Sequence, residues 1–76
     1  MADVILDARG LSCPLPVLKA RKALRALPAA ATVEVLSTDP GSLEDFPIFC
    51  QSAGHELLEV RRVDDAFCFV IKKGSG

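Results

Sequence analysis

The chain lacks most of what catalysis, metal binding and membrane anchoring draw on. It has one histidine, His55, among 76 residues, and its three cysteines, Cys13, Cys50 and Cys68, include no pair at C-x₂₋₄-C spacing. This argues against a zinc site, since the nearest ligand pair is Cys50 with His55. It also argues against a thioredoxin-like dithiol, because Cys13 has no local resolving partner. No phosphate-cradling glycine loop and no paired-carboxylate motif is present. No apolar run approaches the ~18 residues of a membrane helix. The first residues, Met1 to Asp7, carry neither a basic segment nor a long apolar one, so no secretory signal is expected. The expected location is the cytoplasm, where three unpaired thiols stay reduced. A net charge of −1 excludes bulk attraction to nucleic acid or membrane as the main function.

What is present is an ordinary globular composition, 50% hydrophobic and 25% charged, in a length that allows one small domain with a modest core. The charge is unevenly spread. Lys19, Arg21, Lys22 and Arg25 fall within seven residues, while Asp39, Glu44 and Asp45 cluster later. A nearly neutral chain therefore carries a local basic face.

Hydrophobic periodicity orders the chain as β-α-β-α-β-β. Val4-Ile5-Leu6 reads as a short buried strand. Pro14 to Leu27 reads as a helix stopped by Pro28, with Val17, Ala20, Ala23, Leu24 and Leu27 facing the core and the basic residues opposite. Leu15 and Leu18 break this pattern by pointing into the basic face. Thr32 to Ser37 alternates as a second strand, and Asp39-Pro40-Gly41 is a turn. Ser42-x-x-Asp45 resembles a capping box opening a second helix. In that helix Phe46, Phe49, Cys50 and Ala53 share a face, Pro47 predicts an irregular or 3₁₀ first turn, and Gly54 is the stop. Glu56–Val63 and Ala66–Lys72 form a hairpin about Asp64-Asp65, with Phe67, Phe69 and Ile71 on one face of its second strand and Cys68 and Val70 on the other. The first two strands, flanking a helix, are expected to be parallel. The expected fold is α+β, a two-layer α/β sandwich with two helices on one face of a four-stranded mixed sheet. Residues 1–73 are read as the single domain and 74–76 as a disordered tail.

Cys13 lies in Gly10-Leu11-Ser12-Cys13-Pro14-Leu15-Pro16, where the first strand has ended and the basic helix begins. With Cys13 as N-cap, Pro14 is the first helical residue and Pro16 the third, and neither has an N–H. Leu15 is then the early backbone donor free to turn toward sulfur. The helix terminus carries roughly half a positive charge, which favours thiolate. Cys50, on the inward stripe of the second helix, and Cys68, mid-strand, read as packing residues. His55 reads as a solvated or capping residue, and a Cys–His enzyme requires it beside Cys13.

Leu6-Asp7-Ala8-Arg9-Gly10-Leu11-Ser12-Cys13-Pro14-Leu15-Pro16 resembles the signature of the TusA/SirA-like sulfur carriers, with their Cys-Pro-x-Pro motif. The resemblance continues through Arg21-Lys22, Asp39-Pro40, Phe49-Cys50, His55-Glu56-Leu57 and Ile71-Lys72-Lys73. It implies a βαβαββ sandwich in which Cys13 accepts sulfane sulfur from a cysteine desulfurase or a rhodanese. Cys13 then hands it to a DsrE/TusD-like or other thiol protein. The implied chemistry needs no cofactor and no general base, and is that of a stoichiometric persulfide carrier with sulfurtransferase-type chemistry; no metal is expected, and the chain is expected to be a monomer. The routes served by the family are tRNA thiolation, molybdenum cofactor synthesis and cytoplasmic sulfur oxidation. Arg21, Lys22 and Asp39 match positions implicated in partner docking, and Leu15, Leu18 and Arg25 join them on the same face. Ser12, Leu15 and Ser52 depart from residues common in relatives, which bears on the choice of partner. The contrasting reading is a regulatory module whose basic helix face binds a protein or RNA without using Cys13.

Overall fold

A computed structural model of the chain describes residues 3–74. Its elements follow in the order β1 (Val4–Asp7), α1 (Leu15–Arg25), β2 (Thr32–Ser37), α2 (Ser42–Ala53), β3 (Glu56–Val63) and β4 (Ala66–Lys72). The sheet runs β1-β2-β4-β3, with β1 parallel to β2 and the other pairs antiparallel. This is the mixed-sheet α/β sandwich that the alternation of patterns predicts.

Period-two alternation makes one sheet face a floor. Val33 and Val35 of β2 and Phe69 and Ile71 of β4 are fully buried there beneath Ala20 and Leu24 of α1 and Phe46 and Cys50 of α2. Phe46 stacks on Phe69 with centroids 4.4 Å apart, joining α2 to the central strand β4. Among the described residues no helix covers the other sheet face. Cys68 lies there, yet it is only 1% exposed, because the Arg61 guanidinium reaches over it at 3.7 Å while pairing with Glu34 and Glu59. Cys50 and Cys68 are thus both packed, as expected.

Several local readings change. β1 is an edge strand with alternating burial rather than a buried strand, and Ile5 is 66% exposed. Helix α1 starts at Leu15 with Pro14 at the cap and ends at Arg25, since Ala26 already closes the last turn. Pro16 is buried among the core residues instead of merely shaping the turn. The capping box does not form. Gly41 holds the cap position, Ser42 is inside α2, and its buried hydroxyl pairs with Ser37 Oγ at 2.7 Å. A buried hydroxyl takes the nearest partner, and here that partner is on β2. Pro47 sits inside a continuous α-helix. It and Leu43, whose carbonyl loses the i→i+4 donor, both lie on the exposed side near the N-terminal end. Gly54 ends α2 in the left-handed conformation at φ 78°, as a C-terminal glycine should. Of the tail expected to be disordered, Gly74 is held by its N–H donating to His55 Nδ1 at 3.0 Å; Ser75 and Gly76 lie outside the described residues.

Candidate functional site

The segment from β1 to α1 is tied down before it reaches Cys13. Ala8 N–H donates to the Leu36 carbonyl at 2.8 Å, extending the β1–β2 ladder by one bond. Arg9 folds back on Asp7, with Nε–Oδ1 at 2.9 Å, and its guanidinium holds the Asp7 carboxyl down at about 2. Lys19 of α1 donates to the Asp7 carbonyl at 2.8 Å. Gly10 makes the turn at φ 81° and donates its N–H to Thr38 Oγ1 at 3.0 Å. The backbone N–H of Cys13 then donates to Asp39 Oδ2 at 2.7 Å. Cys13 is exposed, and its backbone is held by that bond.

The start of the helix differs from the sequence reading, and so does the electrostatics. Cys13 lies one residue before the cap, and Leu15 N–H is spent on the Ser12 carbonyl at 2.9 Å rather than on sulfur. The Cys13 thiol donates a short hydrogen bond to Asp45 Oδ2 of α2. Its pKa is raised, not lowered. The hydrogen bond to Asp45 is the main cause, followed by partial burial and the negative charges of Asp45 and Asp39. A hydrogen bond that holds the proton on sulfur, reinforced by two carboxylates, acts against the partial charge of a helix end one residue away.

Beside Cys13 lies a hollow of about 240 Å³ lined by Pro14, Val17, Asp45, Ile48 and Phe49. Leu15 and Leu18 of α1 are about half exposed, and Ile48 of α2 is 63% exposed. Arg21, Lys22 and Arg25 are exposed, and the ion pairs among the described residues, which join Arg9 to Asp7 and Arg61 to Glu34 and Glu59, include none of them. Asp39 is half-buried and engaged with the Cys13 N–H. The structure thus gathers Cys13, Pro14, Leu15, Leu18 and Asp39 at one end, with Arg21, Lys22 and Arg25 following along α1.

His55 is elsewhere. With Arg21, Leu24, Arg25, Phe49, Ala53 and Lys73 it lines a separate hollow of about 320 Å³, its ring tilted against Phe49 at 5.6 Å. Burial and the Lys73 charge push its pKa down. Cys50 is in the core, and burial pushes its thiol up to about 11. Neither His55 nor Cys50 stands at Cys13; among the described residues the titratable groups in contact with it are the carboxylates of Asp39 and Asp45.

Asp45, Ile48 and Phe49 were not legible as site residues in the sequence, where Asp45 read as half of a capping box. A signal existed. Two parallel strands each followed by a helix place both helix starts at the same sheet edge, beyond the strand C-termini. The first turns of α1 and α2 must then be neighbours, which brings Asp45 to Cys13 across 32 residues.

A family model described as "Sulfurtransferase TusA" matches residues 4–73. The chain is 46% identical over 71 residues to the sulfur carrier protein TusA of Allochromatium vinosum, covering 93% of each. To the sulfur carrier protein TusA of Pseudomonas syringae pv. tomato it is 40% identical over 73 residues, covering 96% of this chain and 87% of that one. Among solved structures, a SirA-like protein from Desulfitobacterium hafniense superposes with a TM-score of 0.82 at 28% identity, covering 95% of this chain and 99% of that one. Among the described residues, no helix is long and apolar enough to cross a membrane.

Proposed function

The chain belongs to the TusA family of sulfur carriers, and from that premise we propose that Cys13 is the thiol on which it carries sulfur. The observation that carries this reading is the placement of Cys13: side chain exposed, backbone pinned by Asp39, at the edge where both helices begin. In the transfer, Cys13 thiolate attacks the outer sulfur of a donor persulfide. The new Sγ–S bond forms as the donor's S–S bond breaks, and the donor sulfur leaves as a thiolate that takes up a proton. Cys13 is oxidised from thiol to persulfide while the donor cysteine is reduced from persulfide to thiol, so no outside oxidant enters. The acceptor's thiol repeats the exchange on Cys13.

The surroundings suit a part that must leave its partners quickly. Leu15, Leu18 and Ile48 give a small apolar contact, and unpaired Arg21, Lys22 and Arg25 give steering charge. The donor is a cysteine desulfurase or a rhodanese, the acceptor a DsrE/TusD-like or other thiol protein, and the setting the cytoplasm. The test is incubation with a cysteine desulfurase and cysteine, followed by peptide mass analysis. The peptide holding Cys13 gains ~32 Da, one sulfur atom on one reactive thiol, and Cys13→Ser gains nothing. Uptake by the Cys13→Ser protein, on Cys50 or Cys68, would sink the assignment.

A further inference from the structure

At rest the sulfur acceptor is held in its unreactive form. Its S–H donates to Asp45 Oδ2, and a second carboxylate, Asp39, is fixed to its backbone N–H. Among the described residues no lysine or arginine pairs with Asp39, Asp45 or the Cys13 thiol. Arg9 is bound to Asp7, Lys19 is bound to the Asp7 carbonyl, and Arg21 and Arg25 line the other hollow. Losing the thiol proton here sets a third negative charge against two. The hollow beside the sulfur has walls of Pro14, Val17, Ile48 and Phe49, with Asp45 as its single charged lining group. An apolar hollow with one carboxylate in its lining matches a long side chain that buries an alkyl stem and carries a cation at its tip.

We infer that the surface around Cys13 takes a protein partner presenting a basic side chain next to its own reactive sulfur, and that this cation draws Asp45 away from the thiol and so switches Cys13 on in the complex. The inference rests on Cys13 being the sulfur-bearing residue. In the complex the Asp45 carboxylate pairs with the partner's ammonium or guanidinium, the thiol proton passes to solvent, and the thiolate makes its bond to sulfur as above. Outside a complex the thiol stays protonated and is protected from stray oxidants. The two charged faces then orient docking: α1 seeks acid, and the Cys13 end seeks base.

The test needs no identified partner, because thiol–disulfide exchange is the same class of attack. The full chain is reacted with three disulfides: cystamine, which carries an ammonium on each arm, neutral 2-hydroxyethyl disulfide, and anionic 3,3′-dithiodipropionate. N-acetylcysteinamide is the reference thiol, and mass analysis assigns the mixed disulfide to Cys13. The expected result is a preference for cystamine over dithiodipropionate about tenfold greater than the reference thiol shows, as for a charge pair at the reacting sulfur. Asp45→Asn should lose most of that preference while reacting faster with the neutral disulfide, since its thiol ionises more readily. Asp45→Glu should restore the preference, which a merely structural role for the side chain does not produce. The inference is overturned if Asp45→Asn keeps the preference, or if it reacts more slowly with the neutral disulfide while its circular dichroism is unchanged. Neither result touches sulfur carriage itself, which the desulfurase experiment decides separately.

Discussion

Cys13 owes its character to a side chain 32 residues away. Sequence places this cysteine well: at the end of a glycine turn, before two prolines, on the surface. Its electrostatics cannot be read the same way, because a helix terminus is a local feature and the Asp45 contact is made only by folding. The raised pKa gives a direct expectation. For a thiol, a raised value means the neutral form persists to higher pH, so the reactive thiolate is scarcer at pH 7 in the folded carrier than in the unfolded chain. Iodoacetamide labelling of Cys13 across pH should therefore show a midpoint above that of the same chain in denaturant, where the Asp45 and Asp39 contacts are gone. Asp45→Asn should move the folded midpoint down toward the denatured one. A folded midpoint below the denatured one would mean that the helix terminus dominates after all.

At the scale of elements, the two faces of α1 are legible apart from the buried Pro16, with Ala20 and Leu24 buried and Leu15 and Leu18 exposed among the cations. Apolar periodicity suffices for that, because a helix that covers a sheet must turn one stripe inward. Helix α2 was harder. Gly54 was legible because a left-handed C-terminal residue has a strong chemical preference. The start was not, because Ser42 and Asp45 had two possible sets of partners and tertiary structure supplied the better one for each, Ser37 and Cys13. The unpaired cations of α1 carry the prediction for this scale. Arg21→Glu combined with Arg25→Glu should slow sulfur loading from a desulfurase by about tenfold or more at low salt, an effect that fades as ionic strength screens the surface. Reaction of Cys13 with neutral 2-hydroxyethyl disulfide should stay as in the parent, because these residues line the other hollow and not the one beside the sulfur. An equal loss in both reactions would assign the effect to folding instead of docking.

For the whole molecule, the alternation of β and α patterns was enough to give the sandwich, since parallel strands joined through a helix admit one handedness and the hairpin fills the remaining places. What periodicity did not reveal is that the site depends on this topology: β1 and β2 run parallel, so the loops after them converge, and Cys13, Asp39 and Asp45 meet only there. The loops hang from a small core whose centre is the Phe46–Phe69 stack. Phe69→Ala should cost ~3–5 kcal/mol, a large part of the ~5–15 kcal/mol typical of a folded domain and more serious in one this short. Urea unfolding should show the midpoint falling sharply or the transition vanishing, and Cys13 labelling should take on the denatured pH profile, because separating α2 from the sheet also removes Asp45 from the thiol. Ile5→Ser is the counterpart on the uncovered sheet face, where the side chain is 66% exposed; it should shift stability by no more than about 0.5 kcal/mol and leave the raised Cys13 midpoint in place. If Phe69→Ala unfolded the chain yet kept that midpoint, the masking of Cys13 would be a property of its local segment and not of the fold.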